Sequence, residues 1–97
     1  MTEKDETLAA LRAVLPELKR RWPIGFLAVF GSVARNEATA ASDLDVLVDF
    51  TRPVSLSEFL ALEEALSARV GRRVDLVTRD ALKPFIGRRV LGEAVPL

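Results

Sequence analysis

An α/β fold built from alternating helices and strands is what this 97-residue sequence predicts, and three observations carry the prediction. Leu8, Leu11, Leu15 and Leu18 recur at three and four residues, which makes one apolar helical stripe. Three short runs, FLAVF, LDVLVDF and RVDLVT, have strand length and strand composition. Ser55 and Glu58 stand at capping-box spacing ahead of Phe59, Leu62, Leu66 and Val70, a second helical stripe between the last two runs. The order is α-β-α-β-α-β-α. It predicts a single small α/β (α+β) domain over residues 1–97, with a three-stranded core sheet of mixed pairing and helices packed mainly on one face.

Each element has a local reason. Pro16 interrupts the first stripe and is expected to kink or split that helix, because it removes a donor and crowds the preceding turn. Trp22-Pro23 and Gly25 end it. Phe26 to Phe30 is wholly apolar, as a buried strand would be. Gly31-Ser32 breaks the run, and Val33 to Glu37 has room for a short helix. Thr39 to Ser42 is a small polar loop, and Leu44 to Phe50 is the second strand. Gly71 is placed to cap the second long helix, and Arg73 to Thr78 is the third strand. Asp80 is a candidate cap for a last helix reaching Glu93, with Pro84 in its first turn and Gly87 and Gly92 weakening it.

Composition excludes several chemistries. The sequence has no Cys, His or Tyr, so disulfides, thiolate or imidazole metal sites and a histidine general base are all ruled out. Fourteen basic side chains balance fourteen acidic ones, split 6 against 8 in residues 1–50 and 8 against 6 in residues 51–97. That balance argues against direct nucleic-acid binding, which needs a basic surface. No apolar run reaches membrane-spanning length, and the charged start (Glu3, Lys4, Asp5, Glu6) is no signal peptide. The expected setting is cytoplasmic, away from membranes.

What remains for chemistry is carboxylates beside a small-residue turn. Asp43 and Asp45 lie two apart at the start of a strand, so their side chains are expected on one face while Leu44, Val46 and Val48 line the other. Two carboxylates ~4 Å apart repel by about 4 kcal/mol at an effective dielectric near 20. Such a pair shares a proton, splays into water or holds a cation, and hard divalent ions such as magnesium suit carboxylate oxygens. The plainer alternative is a turn cap and a solvated neighbour. Asp75 lies between Val74 and Leu76 in a run that reads as a buried strand, where a lone charge needs a partner. If the third strand lies beside the second, Asp75 joins the Asp43–Asp45 face; otherwise it pairs with Arg72 or Arg73 or faces outward at an edge. Gly31-Ser32 follows a strand, where glycine allows backbone amides close to an anion. Arg35, one turn on, could meet phosphate or Glu37.

Together these residues are familiar. Gly31-Ser32, ten intervening residues and Asp43-x-Asp45 resemble the signature of the nucleotidyltransferase superfamily that includes DNA polymerase beta. The stretch GSVARNEATAASDLDVLVDF is similar to the minimal nucleotidyltransferase (MNT) family, small proteins often paired as antitoxins with a HEPN-domain toxin. VDLVT resembles that family's third-carboxylate strand, and LGEAVPL its final helix and tail. One departure is Asn36, where the family usually has Gly; Asn tolerates a left-handed backbone, so the turn is expected to survive.

The resemblance implies a small nucleotidyltransferase fold and a set of roles. Asp43, Asp45 and Asp75 would be both the metal ligands, for two Mg2+ ions, and the catalytic carboxylates. Gly31, Ser32 and Arg35 would hold the phosphates of ATP or another nucleoside triphosphate. AMP would pass to a hydroxyl of a partner protein, a HEPN toxin's tyrosine, as in a type VII-like antitoxin. The absence of Tyr excludes tyrosine self-modification. Two other readings stand beside this one: a non-catalytic nucleotide- or toxin-binding subunit that acts by steric cover, and transfer to a small hydroxylated molecule. Phe85, Ile86, Val90 and Leu91 are candidate apolar surface for a homo-oligomer or a partner complex.

Overall fold

The computed structural model describes residues 2–39, 41–82 and 84–97, with the side chains of residues 84–86 outside that description. Helix α1 spans Glu3–Arg21, strand β1 Ile24–Phe30, the short helix α2 Gly31–Ala34 and strand β2 Leu44–Phe50. Helix α3 (Leu56–Val70) leads to strand β3 (Val74–Thr78), a single 3-10 turn (Arg79–Ala81), helix α4 (Pro84–Glu93) and the two-residue strand β4 (Val95–Pro96).

The helix ends follow from side chains that satisfy free backbone groups. Thr2 and Asp5 form a capping box at the start of α1, and Ser55 and Glu58 form the expected one at α3. Gly71, at φ 66°, ends α3 in the left-handed conformation. Lys19, Arg20 and Arg21 occupy the last turn of α1, where the helix dipole favours cations. Pro16 does not split α1, which runs unbroken through it. The fully buried Leu11 and Leu18 flank the proline and hold both sides of the helix against the sheet. Asp80 falls within the 3-10 turn, which has no side-chain cap, and so does not start α4.

The sheet is mixed, in the order β3-β2-β1-β4. Strand β1 runs antiparallel to both β2 and β4, while β2 and β3 are parallel. The parallel pair needs a crossover, and α3 supplies it. The short β4 adds a fourth strand to the three read from sequence. Two residues of tail, held by Ala28↔Pro96 and Val29↔Val95 pairing, are too few to show a pattern of their own.

Alternation along the strands divides the sheet into two faces. Leu44, Val46 and Val48 of β2 join Leu27, Val29, Val74 and Leu76 in a core against Leu8, Leu11 and Leu18 of α1 and Leu62 and Leu66 of α3. On the other face Ala28 and Leu47, paired across β1 and β2, are also fully buried. Helix α4 packs on β1 and α2. Of the four residues expected to offer apolar surface, Val90 is buried within the chain and Leu91 is exposed; the side chains of Phe85 and Ile86 lie outside the described residues.

Strand β3 is an edge strand, and α3 caps that edge. The Val74 amide donates to Ser67 Oγ (3.0 Å) and the Leu76 amide to Glu63 Oε2 (2.9 Å). Ser67 Oγ in turn donates to the Glu63 carbonyl (2.9 Å). These bonds use donors that would otherwise invite another strand, and they fix the strand that carries Asp75. A Glu63→Ala variant should lose about 1 kcal/mol of stability in a denaturant titration. Its Leu76 amide should also exchange with deuterium faster than in the parent, while buried β2 amides keep their protection.

Candidate functional site

The chosen strand pairings bring the end of β1 and the starts of β2 and β3 together at one end of the sheet. Asp45 is the second residue of β2, opposite Phe30 of β1 on one side and Asp75 of β3 on the other. Its neighbours Leu44 and Val46 point into the core, so Asp45 faces the opposite way with Leu47 and Asp49. Asp75 follows the same alternation between buried Val74 and Leu76. Two carboxylates thus stand side by side on adjacent strands, whose usual spacing is about 4.8 Å. Asp75 is exposed at the sheet edge and not buried in its strand, so no compensating cation is needed there. Asp43, also exposed, immediately precedes β2, where the Leu44 amide bonds to the Arg73 carbonyl (2.9 Å).

Electrostatics couple Asp45 to its two neighbours. Asp45 is half-buried, and its carboxyl is held above the ordinary aspartate range, first by burial and then by the charges of Asp75 and Asp43. Arg35 pulls weakly in the other direction. Both of the other acidic residues expected from the sequence therefore act on Asp45.

The glycine-serine turn is pressed against this cluster. Gly31 has φ 73°, and a Cβ added there would collide with Oδ2 of Asp45 and stand 3.0 Å from its Cγ. Both the conformation and the space require glycine. Helix α2 begins at Gly31, two residues ahead of the helix expected over Val33 to Glu37. It ends in a Schellman motif: the Asn36 amide bonds to the Val33 carbonyl (3.1 Å) and the Glu37 amide to the Ser32 carbonyl (2.8 Å). Asn36 sits at φ 59°, the left-handed position that the sequence assigned to it. Ser32, partly exposed, lies in the first turn of α2.

Arg35 extends from the end of α2 to two carboxylates. Its Nε bonds to Glu37 Oε2 (3.0 Å) and its Nη1 to Glu93 Oε2 (3.1 Å). These two bonds, Glu37 first, raise its pKa further. The Glu37 contact was open to sequence reading; the Glu93 contact was not, because 58 residues and two strands separate the partners.

The donor set suits a hard divalent cation. It consists of carboxylate oxygens alone, and a cation would favour the charged form of Asp45, which burial first and then Asp75 and Asp43 disfavour. Among the described residues, no three acidic side chains converge into a ready-made metal cage.

Comparison with known proteins fits this geometry. The nucleotidyltransferase domain family matches residues 11–97. The chain belongs to that family. Within it, the chain is 44% identical over 95 residues to the protein adenylyltransferase MntA of Thermococcus cleftensis, covering 98% of this chain and 96% of that one. A solved structure of a candidate minimal nucleotidyltransferase superimposes with a TM-score of 0.82 at 40% identity, over 100% of this chain and 97% of that one. A more distant solved structure is that of a tri-AMPylated Shewanella oneidensis HEPN toxin in complex with MNT antitoxin. It shares the fold at a TM-score of 0.69 and 16% identity, over 93% of this chain and 70% of that chain. The nucleotidyltransferase fold and the minimal nucleotidyltransferase resemblance read from sequence both hold.

Two outcomes follow for this nucleotidyltransferase site. Gly31→Ala should destabilise the protein by at least about 1–2 kcal/mol in chemical denaturation, from the left-handed backbone alone. The added collision with Asp45 increases the loss. Asp45→Asn should melt at a higher temperature than the parent in metal-free buffer at neutral pH. A carboxyl whose folded pKa is raised costs stability above that pKa and nothing below the ordinary aspartate value. The gain should therefore shrink as pH falls through that window, which a melting series against pH will show.

Proposed function

We propose that this protein is a magnesium-dependent protein adenylyltransferase that moves AMP from ATP onto a hydroxyl of a partner protein, a tyrosine of a HEPN toxin, and so acts as its antitoxin. The observation that carries the reading is the side-by-side placement of Asp45 and Asp75 with Gly31 pressed against Asp45. The name of the Thermococcus cleftensis relative and the AMPylated toxin of the Shewanella oneidensis complex support the substrate and the partner.

In this reading Asp43 and Asp45 hold the metal ions, and Asp75 faces the acceptor. Bound magnesium would neutralise phosphate charge and polarise the reacting phosphorus. The backbone of Gly31-Ser32 takes the β- and γ-phosphates, and the missing Cβ of Gly31 lets that turn lie directly against Asp45. Asp75, exposed on the edge strand, accepts the proton of the incoming hydroxyl. The hydroxyl oxygen forms a bond to the α-phosphorus, the bond to the bridging oxygen breaks, and pyrophosphate leaves with that electron pair. The chain's own contribution is positioning and charge, which this reaction class requires, and neither histidine nor cysteine is needed.

The test uses ATP labelled at the α-phosphate, magnesium and a HEPN-domain toxin from the same organism as this chain. Label should pass to the partner with the parent protein and fall to background with Asp43→Ala/Asp45→Ala. Magnesium should raise the parent's melting temperature and leave the double variant's unchanged. If the double variant neutralises the partner fully, steric cover is the function and the transfer reading fails.

A further inference from the structure

Arg35 joins two parts of the molecule with different duties. Through its backbone it closes α2, its amide bonding to the Gly31 carbonyl (3.1 Å). Through its guanidinium it reaches Glu93, the last residue of α4 (3.1 Å). Arg35 closes the four-residue helix that Gly31-Ser32 opens, and its charge acts against the upward shift of Asp45. It is therefore the cation a phosphate chain beside Gly31-Ser32 would meet. Glu37 and Glu93 already occupy its Nε and Nη1.

We propose that Glu93 is a competitor for the Arg35 guanidinium, so that the end of α4 and the phosphates of a bound nucleotide hold that side chain in turn. The inference rests on the nucleotidyltransferase reading and adds a residue that sets nucleotide affinity. Three features make the exchange possible. The pair is partly exposed, with 39% and 28% of the side chains accessible, so water and phosphate can reach it. Glu93 has a second partner in Arg89 Nε at 3.4 Å, one turn back on α4, and keeps a cation when Arg35 leaves. Glu37 adjoins Arg35 on the same turn and can follow it, whereas Glu93 belongs to another element and cannot.

The consequence reaches the tail. Just beyond Glu93 the chain is held by the Ala94 amide on the Val90 carbonyl (2.8 Å) and the Leu97 amide on the Leu27 carbonyl (3.0 Å). Strand β4 pairs there with β1, the strand that delivers Gly31. A nucleotide that takes Arg35 from Glu93 removes one anchor of this segment. Coupling between binding sites is reciprocal, so removing the Glu93 charge must favour the nucleotide.

The experiment measures binding of a non-hydrolysable ATP analogue with magnesium, by calorimetry, to the parent, Glu93→Gln, Arg35→Ala and the double variant. Glu93→Gln should tighten binding about two- to fivefold, the range of an exposed ion pair, and should have no effect when Arg35 is already Ala. Deuterium exchange at Ala94 and Leu97 should speed up when the analogue binds the parent, and not when it binds Glu93→Gln. Unchanged or weaker binding by Glu93→Gln overturns the competition while leaving the nucleotidyltransferase reading intact. Equal tightening in the Arg35→Ala background overturns it too, because the effect is then a general reduction of negative charge. A parent that binds no analogue overturns both.

Discussion

Parallel pairing of β2 with β3 is the constraint on which the site depends. Its register sets Asp45 opposite Asp75, and strand alternation turns both to the face away from the main core. Partial burial first, and then the neighbouring charges of Asp75 and Asp43, disfavour the charged form of Asp45 and raise its pKa, a cost to the fold that holds it. The arrangement is tolerable because the core face of the same strands is fully apolar. Leu44, Val46 and Val48 contribute burial of about 1.5 to 3 kcal/mol each, enough to offset the repulsion behind them. A site that repels itself when empty is one that a divalent cation and its phosphate can complete.

The rest of the architecture supports that register. A parallel pair cannot be joined by a hairpin, so α3 is required, and its capped ends fix where β3 begins. The same helix reaches back to the outer edge of β3 through Ser67 and Glu63. Asp75 therefore sits on a strand held from both sides although only one neighbour is a strand. On the far side of β2, antiparallel β1 ends opposite Asp45, and the next residue is the glycine that touches it. Glycine is needed there twice over, for a left-handed backbone and for the space of the absent Cβ.

Helix α4 and its tail complete the second face. They cover β1 beside the site and extend one carboxylate, Glu93, to the end of α2. In the proposed exchange at Arg35, phosphate affinity is tied to how the last segment of the chain is seated. The fold has few residues to spare, and this ion pair shows one side chain serving both a structural contact and the charge balance of the site.

Much of this was legible in the sequence because the signals are local. The capping box at Ser55 and Glu58, the left-handed ends at Gly71 and Asn36, and the three strand runs each depend on a few neighbouring side chains. The Gly-Ser and Asp-x-Asp pattern pointed to the candidate site for the same reason: its members lie within fifteen residues of each other. The sequence by itself determined which residues form the elements and which carboxylates could do chemistry. Of its two expectations for Pro16, a kink or a split, the split does not occur, because burial on both sides of the proline outweighs one lost hydrogen bond. Only the tertiary structure decided that β3 lies beside β2 in the register that joins Asp75 to Asp45, that Glu63 and Ser67 cap the edge, and that Glu93 meets Arg35. Those contacts join residues that are distant along the chain, and their partners are chosen by packing, which no short-range pattern encodes.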